Sequence, residues 1–182
     1  QGWVTVGDYL LDSPRDRKAD FVVGNPPYIR YDDLPEGAFE AYRRIYPTMV
    51  GRCDIYVGFI EAGMRQLTEH GVLAFICADR WMRAAYGAEL RRTVSSIFSM
   101  EVVIEMHDAP AFDNDVAAYP AVIVIRRAPQ GAAIVASAGA KAGPLPDGGI
   151  LAAAIVDLTE KKIAALPGFS ATRIEHWFSG NG

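Results

Sequence analysis

The sequence predicts a doubly wound α/β fold, an open sheet layered with helices. Three observations carry that expectation. Short apolar runs at 21–23, 72–78, 101–106 and 120–127 have the length and texture of buried strands. Segments of helical spacing at 36–46, 54–70 and 87–98 alternate with them, which is the signature of crossover units. The first run stops abruptly at Asn25-Pro26-Pro27-Tyr28, at the strand end where open α/β sheets hold their ligands.

Taken in order, residues 3–6 alternate and read as a strand end or its approach, followed by Gly7-Asp8-Tyr9-Leu10. Residues 13–20 are polar, a short connection. Residues 36–46 place Phe39, Tyr42, Arg43 and Tyr46 at helical spacing, and Pro47 ends that helix. Asp54 is the expected N-cap of the next helix, with Gly71 the expected residue just past its end. The stripe through Ile55, Phe59, Ala62 and Leu67 reads as core rather than a binding surface. The segment 79–86 reads as a loop with Arg80, Trp81 and Arg83. There Trp81 is expected at an interface with the arginines solvated, contact with nucleic acid being the competing reading. A helix over 87–98 turns Leu90, Val94, Ile97 and Phe98 inward, with Arg91-Arg92 on its solvated face. Past residue 128 the chain becomes loop-rich, with one short strand at 134–136 and a helix over 157–166 capped by Asp157 and stopped by Pro167-Gly168. Residues 169–182 stay undecided.

Composition sets outer limits. The chain has 182 residues, 51% of them hydrophobic and 22% charged, the balance of one globular domain with room for part of a second. No apolar run approaches the ~20 residues that span a bilayer, so no membrane partner is expected. Cys53 and Cys77 are too few for a disulfide framework or a zinc site and read as buried small hydrophobes, with a reducing cytoplasm the default location. His70, His107 and His176 show no ligand spacing, and no metal is expected. The net charge of −4 argues against this chain gripping a polyanion unaided.

The turn after the first run has its own chemistry. Gly24 frees the backbone, and Pro26 and Pro27 lack the N–H donors needed to continue a sheet. Asn25 and Tyr28 are thereby held on a stiff turn. The Asn25 side-chain carbonyl and the Pro26 backbone carbonyl are two acceptors near one point, matched to the two donors of a planar amino group. Tyr28 offers a flat face for a ring. An aromatic amine is a poor nucleophile because its lone pair is delocalised. Two fixed acceptors localise that pair and stabilise positive charge developing on nitrogen, an oxyanion hole with its sign reversed. A rigid turn whose Asn caps backbone groups and whose Tyr packs is the competing reading.

Asn25-Pro26-Pro27-Tyr28 after a strand resembles the catalytic motif of S-adenosylmethionine-dependent amino-methyltransferases, above all the adenine-N6 DNA methyltransferases of restriction–modification systems. Gly51-Arg52-Cys53-Asp54-Ile55-Tyr56, Phe59-Ile60-Glu61, Gly71-Val72-Leu73, Tyr86-Gly87-Ala88-Glu89-Leu90-Arg91 and Ala111-Phe112 before Ala121-Val122-Ile123-Val124 are similar to segments that follow the motif there. The similarity covers about residues 5–128 and is nearest to the type I and type IIG-like enzymes. It implies a Rossmann-like fold, the C-terminal half of a mostly parallel sheet with an antiparallel strand in the edge hairpin. It implies S-adenosyl-L-methionine as cofactor, with Asp8 receiving the cofactor's adenine amino group and Asn25 the other cofactor-binding residue. A surface-turn aspartate is the competing reading of Asp8. The target adenine would leave the duplex and sit between Tyr28 and Phe112, with its N6 donating to Asn25 and Pro26. A loop Phe tucked against the sheet is the competing reading of Phe112.

The resemblance divides the chain into a catalytic half, 1–128, and an extension, 129–182, that could open a target-recognition region. The expected partners are double-stranded DNA and a restriction endonuclease or specificity region. No Gly-rich strand-to-helix turn for the methionine end of the cofactor occurs in the chain, and in the order this family follows it would precede Gly7. The chain is therefore expected to be the catalytic part of a longer enzyme, binding cofactor weakly or not at all by itself. The same four residues also occur in RNA adenine and protein-glutamine methyltransferases. A truncated, non-catalytic assembly or DNA-contacting domain is the non-enzymatic alternative.

Overall fold

In a computed structural model the protein is described over residues 4–13, 16–107, 119–139, 160–166, 168–175 and 177. Six strands form one mixed sheet in the order β1-β2-β4-β3-β5-β6. They are β1 (Ala19–Gly24), β2 (Leu67–Ala78), β3 (Ser99–Glu105), β4 (Pro120–Arg126), β5 (Ala133–Ala138) and β6 (Phe169–Ile174). β1 and β2 pair in parallel, as do β3 and β5, whereas β4 is antiparallel to both β2 and β3 and β6 is antiparallel to β5. Four strands therefore run one way and two the other. The strand at 120–126 is antiparallel as expected, but it is inserted between β2 and β3 instead of lying at an edge. Its neighbours on both sides explain why its burial leaves little exposed: Ala121, Ile123 and Ile125 are fully enclosed on one face, and Val124 is buried on the other. β5 and β6 continue the same sheet past residue 128.

One face of the sheet carries α2 (Ala38–Ile45), α3 (Tyr56–Arg65) and α4 (Ala88–Ile97), with the single turn α1 (Tyr9–Asp12) packed against α2 and α3. Leu73, Phe75, Val103 and Ile123 from the strands meet Phe39, Ile60, Met64, Leu90 and Val94 from the helices in one buried cluster. A smaller cluster on the other face joins Val102, Ile104 and Ile134 to Ile163 of α5 (Glu160–Ala164) and Phe169. α5 lies over the β5–β6 end of the sheet, whereas Phe21 and Val23 on β1 stay 74% and 79% exposed.

Three local expectations change. α3 ends at Arg65 with Gln66 as its cap, so residues 67–71 are strand, and Gly71 is not a helix terminator. His70 takes a left-handed φ of 65°, and the β1–β2 register shifts across this point, so the irregularity that looks like a helix end is a bulge. Asp54 lies one residue before the cap of α3 and makes no side-chain cap bond. Its carboxyl instead feels the Tyr56 and Tyr86 hydroxyls, which lie 2.7 Å from each other. Trp81 is fully buried within the helix-side cluster, which removes it from any nucleic-acid surface. Residues 79–87 form two short 3-10 turns, and Gly87 is required there because a Cβ would lie 1.8 Å from the Trp81 carbonyl oxygen. Asp157 and Pro167, the expected limits of the last helix, lie outside the described residues.

Candidate active site

β1 ends at Gly24, in register with Phe75 of β2, and the Asn25-Pro26-Pro27-Tyr28 turn leaves the sheet from its carboxyl edge. A Cβ at Gly24 would meet the Phe75 ring at 3.1 Å, so a larger residue would displace a ring that itself lines the site. Pro26 is buried beneath the turn and Asn25 is exposed. The proline thus anchors the backbone while the Asn25 side chain is exposed.

Tyr28 is half-buried and packs against the helix-side core. Its hydroxyl oxygen is enclosed, and burial, with Cys77 nearby as a lesser cause, pushes its pKa up to about 12. The phenol stays neutral. Cys77 and Cys53 are themselves buried, and burial raises both thiols to about 12. They are inert hydrophobes, as expected.

A cavity of about 670 Å³ opens beside the turn, lined among others by Asp8, Tyr9, Gly24, Asn25, Pro26 and Phe59. Asp8 and Asn25, 17 positions apart in the sequence, therefore share one wall. Pro27 and Tyr28 are not part of this lining. Asp8 caps α1: its Oδ1 accepts from the Leu10 and Leu11 N–H groups at 2.9 and 3.3 Å, and its Oδ2 accepts from the Tyr42 hydroxyl at 2.6 Å. These bonds fix the carboxylate, and its second oxygen keeps a lone pair for a further donor. Tyr9 and Phe59 stack with ring centroids 5.2 Å apart and give the cavity flat apolar walls. Phe59 sits within the stripe read as core from the sequence. The spacing of the stripe was legible, but not that its rim faces a cavity. Phe112 lies outside the described residues.

A second polar group stands on the same sheet edge. Asp79, directly after β2, is 1% exposed. Its Oδ2 accepts from His107 Nε2–H at 2.9 Å and from the Arg83 guanidinium, which also donates to Glu105. The Asp79 hydrogen bond is the main reason the pKa of Arg83 is raised. Ligand atoms of Asp79, Glu105 and His107 lie within 4.8 Å of one another, a grouping that histidine spacing did not reveal. Arg83 already supplies the positive charge between the two carboxylates. No helix among the described residues is long and apolar enough to cross a membrane.

An open mixed sheet layered with helices, with a turn at the carboxyl end of β1 and a cavity beside it, is a Rossmann-like α/β domain. The chain belongs to the Eco57I restriction-modification methylase family, whose model matches residues 8–112. It is 47% identical over 134 residues to the type II methyltransferase M.PaeR7I of Pseudomonas aeruginosa, covering 74% of this chain and 23% of that protein. Among solved structures it is similar to the type IIG restriction endonuclease BpuSI, with a TM-score of 0.68 at 17% identity over 93% of this chain and 20% of that one. It is also similar to a class I S-adenosylmethionine-dependent methyltransferase from Listeria monocytogenes, described as putative, with a TM-score of 0.59 at 17% identity over 81% and 44% of the two chains. The chain spans about a quarter of the length of the curated relatives it matches.

Proposed function

We propose that this chain carries the catalytic turn of a restriction–modification DNA methyltransferase that modifies the N6 amino group of adenine, with S-adenosyl-L-methionine as methyl donor. The observation that carries the reading is the exposed Asn25 amide on a proline-anchored turn, on the wall of the cavity that Asp8 also lines. The cavity suits the cofactor on three counts: its volume falls within the ~300–1,000 Å³ of small-molecule sites, Asp8 keeps a free lone pair for an exocyclic amine, and Tyr9 and Phe59 offer apolar ring faces. When bound, the cofactor supplies an electrophilic methyl group on a positively charged sulfur.

The residues of the chain act on the acceptor. The Asn25 side-chain carbonyl and the Pro26 carbonyl take the two N–H donors of N6, localising its lone pair and stabilising the charge it gains. Tyr28 holds the base by its ring, and Phe112 closes on the other face. The adenine must leave the duplex because its amino group is otherwise unreachable. The enzyme orients groups and stabilises charge, and no covalent intermediate on the chain is required. With a net charge of −4 on this chain, most of the grip on DNA phosphates belongs to other parts of the full-length protein, and the intact activity belongs to that protein.

The test uses the full-length protein on duplex DNA. Asn25→Ala abolishes N6-methyladenine formation, read by mass spectrometry of digested DNA, and leaves DNA affinity within about threefold. Tyr28→Phe retains most activity whereas Tyr28→Ala does not. Undiminished N6-methyladenine from Asn25→Ala would overturn the reading.

A further inference from the structure

We propose that a cavity at the amino ends of β1 and β2, away from the catalytic turn, is a second ligand site. It takes a phosphate group against Lys18 and Arg127 and an apolar body against Ile45, Met64 and Phe98. The inference does not depend on which amine the catalytic turn accepts.

The cavity holds about 480 Å³, within the ~300–1,000 Å³ of small-molecule sites. Its cations come from distant places in the sequence. Lys18 stands directly before β1, Arg65 is the last residue of α3, and Arg127 directly follows β4. The sheet brings them together: Ala19 pairs with Leu67, and the Arg127 N–H donates to the Gly71 carbonyl at 2.9 Å. β1 is six residues long, so at ~3.3 Å per residue these cations lie roughly 20 Å from Asn25, at the other end of the strand. The cavity adjoins the larger one at Ser13 and Gln66, which line both.

The charges around this cavity do not cancel. Glu61 is the carboxylate that lines it, and Arg65 pairs with it while lying 5.3 Å over the Tyr46 ring. The second oxygen of Glu61 accepts from Thr48, so that pair is neutral and its acid is satisfied. Lys18 and Arg127 have no carboxylate partner among the described residues. The Lys18 ammonium donates to the Arg65 carbonyl at 2.7 Å, and the Arg127 guanidinium donates to the Leu67 carbonyl at 3.0 Å. Capping the end of α3 accounts for Lys18 alone, and a neutral donor would serve the strand carbonyl of Leu67 equally well. Two like charges bonded to carbonyls so close in sequence repel each other, and an anion between them removes that repulsion. Each of the two bonds uses a single donor and leaves the other N–H groups for a ligand. A phosphate has oxygens enough to accept from both cations at once, and a guanidinium takes it through two parallel bonds. Met64 and Phe98, 1% and 7% exposed, supply an apolar floor beside the charges.

The experiment titrates two probes into the full-length protein by isothermal titration calorimetry. Phenyl phosphate carries one phosphate on a flat apolar body, and phenol is its neutral counterpart. Phenyl phosphate is expected to bind with a Kd below about 1 mM, and phenol at least about tenfold more weakly. Lys18→Ala and Arg127→Gln are each expected to weaken phenyl phosphate at least about fivefold. Arg17→Ala removes a cation that lines the larger cavity only, and is expected to leave the affinity unchanged. If Arg127→Gln does not fold, Lys18→Glu is read instead, since it reverses the charge at an exposed position and is expected to abolish binding. No binding of phenyl phosphate, phenol bound as tightly, wild-type affinity in the Lys18 and Arg127 variants, or an equal loss in Arg17→Ala would overturn the inference. Competition in the wild type identifies the source of the phosphate. A short duplex displaces phenyl phosphate if the ligand is a DNA backbone and leaves it bound if the ligand is a small phosphate ester, and the site stands in both cases.

Discussion

Glu61 and Asp79 are the buried carboxylates among the described residues, and each has an arginine four residues further along: Arg65 and Arg83. Their remaining partners differ. Glu61, on α3, accepts from both the N–H and the hydroxyl of Thr48, at 3.0 and 2.6 Å. Thr48 is itself 2% exposed in the connection after α2, so every group that Glu61 satisfies belongs to the helix layer. Asp79 accepts from His107 at the rim of the sheet, where β2 and β3 end. The same ion pair with the same spacing thus holds the helix layer together at one place and ties the ends of β2 and β3 to each other at the other. A buried acid is informative through what its second set of bonds reaches, not through its burial.

The comparison predicts opposite separations of stability and activity. Glu61→Ala removes the acceptor for a buried N–H and a buried hydroxyl at once, and should lower stability by about 3 kcal/mol, the range for unsatisfied buried donors. Arg65 is about half exposed and turns to water at little cost, so the loss falls on Thr48. Asp79→Asn still offers a carbonyl to His107, and the 59% exposed Arg83 keeps Glu105, so its stability cost should be about 1 kcal/mol. Urea unfolding of both variants, set beside their turnover in the full-length protein, checks the contrast. A large stability loss for Asp79→Asn with unchanged turnover would make the two carboxylates equivalent and dissolve the distinction.

A gentler change tests the Glu61 side alone. Thr48→Val removes the hydroxyl and keeps the backbone N–H, leaving Glu61 with its Arg65 and main-chain partners. The expected loss is about 1 kcal/mol, the net value of one intramolecular hydrogen bond, seen as a lower denaturant midpoint with an unchanged slope. A loss as large as that of Glu61→Ala would mean that the hydroxyl, not the carboxylate, organises this part of the layer.

How much of this was legible in the sequence follows from the range of each interaction. The turn at 25–28 and the strands read at 21–23, 72–78, 101–106 and 120–127 were visible because apolar runs and turn residues are local signals. The insertion of β4 between β2 and β3 was not, since strand order is decided by pairings between distant residues. The strand at Phe169–Ile174 escaped because Phe-Ser-Ala-Thr-Arg-Ile has too few apolar residues to stand out. Helical spacing continues through Leu67, which hid the His70 bulge. Asp8 and Asn25 were singled out separately, but their common cavity, and the rings of Tyr9 and Phe59 in it, required the folded chain. Asp79, Glu105 and His107 looked unrelated because 26 positions separate Asp79 from Glu105, and the sheet is what brings them together.

Asp54 is the intermediate case and carries the smallest expected effect, with reversed sign. It is half-buried beside the first residue of α3, where burial raises its pKa. Arg80, the Tyr56 hydroxyl, Arg30 and the Tyr86 hydroxyl oppose that shift without cancelling it. A carboxyl whose folded pKa lies above its unfolded one contributes stability that is complete below the unfolded pKa and lost as pH rises through the folded one. Asp54→Asn should therefore be slightly more stable than wild type at about pH 7, with the difference shrinking toward about pH 4 as the wild-type carboxyl takes up its proton. Urea midpoints across that interval decide it. A variant less stable than wild type at neutral pH would show that the ionised form is the one the fold prefers, which would place Asp54 with Glu61 and Asp79 as a fully partnered acid.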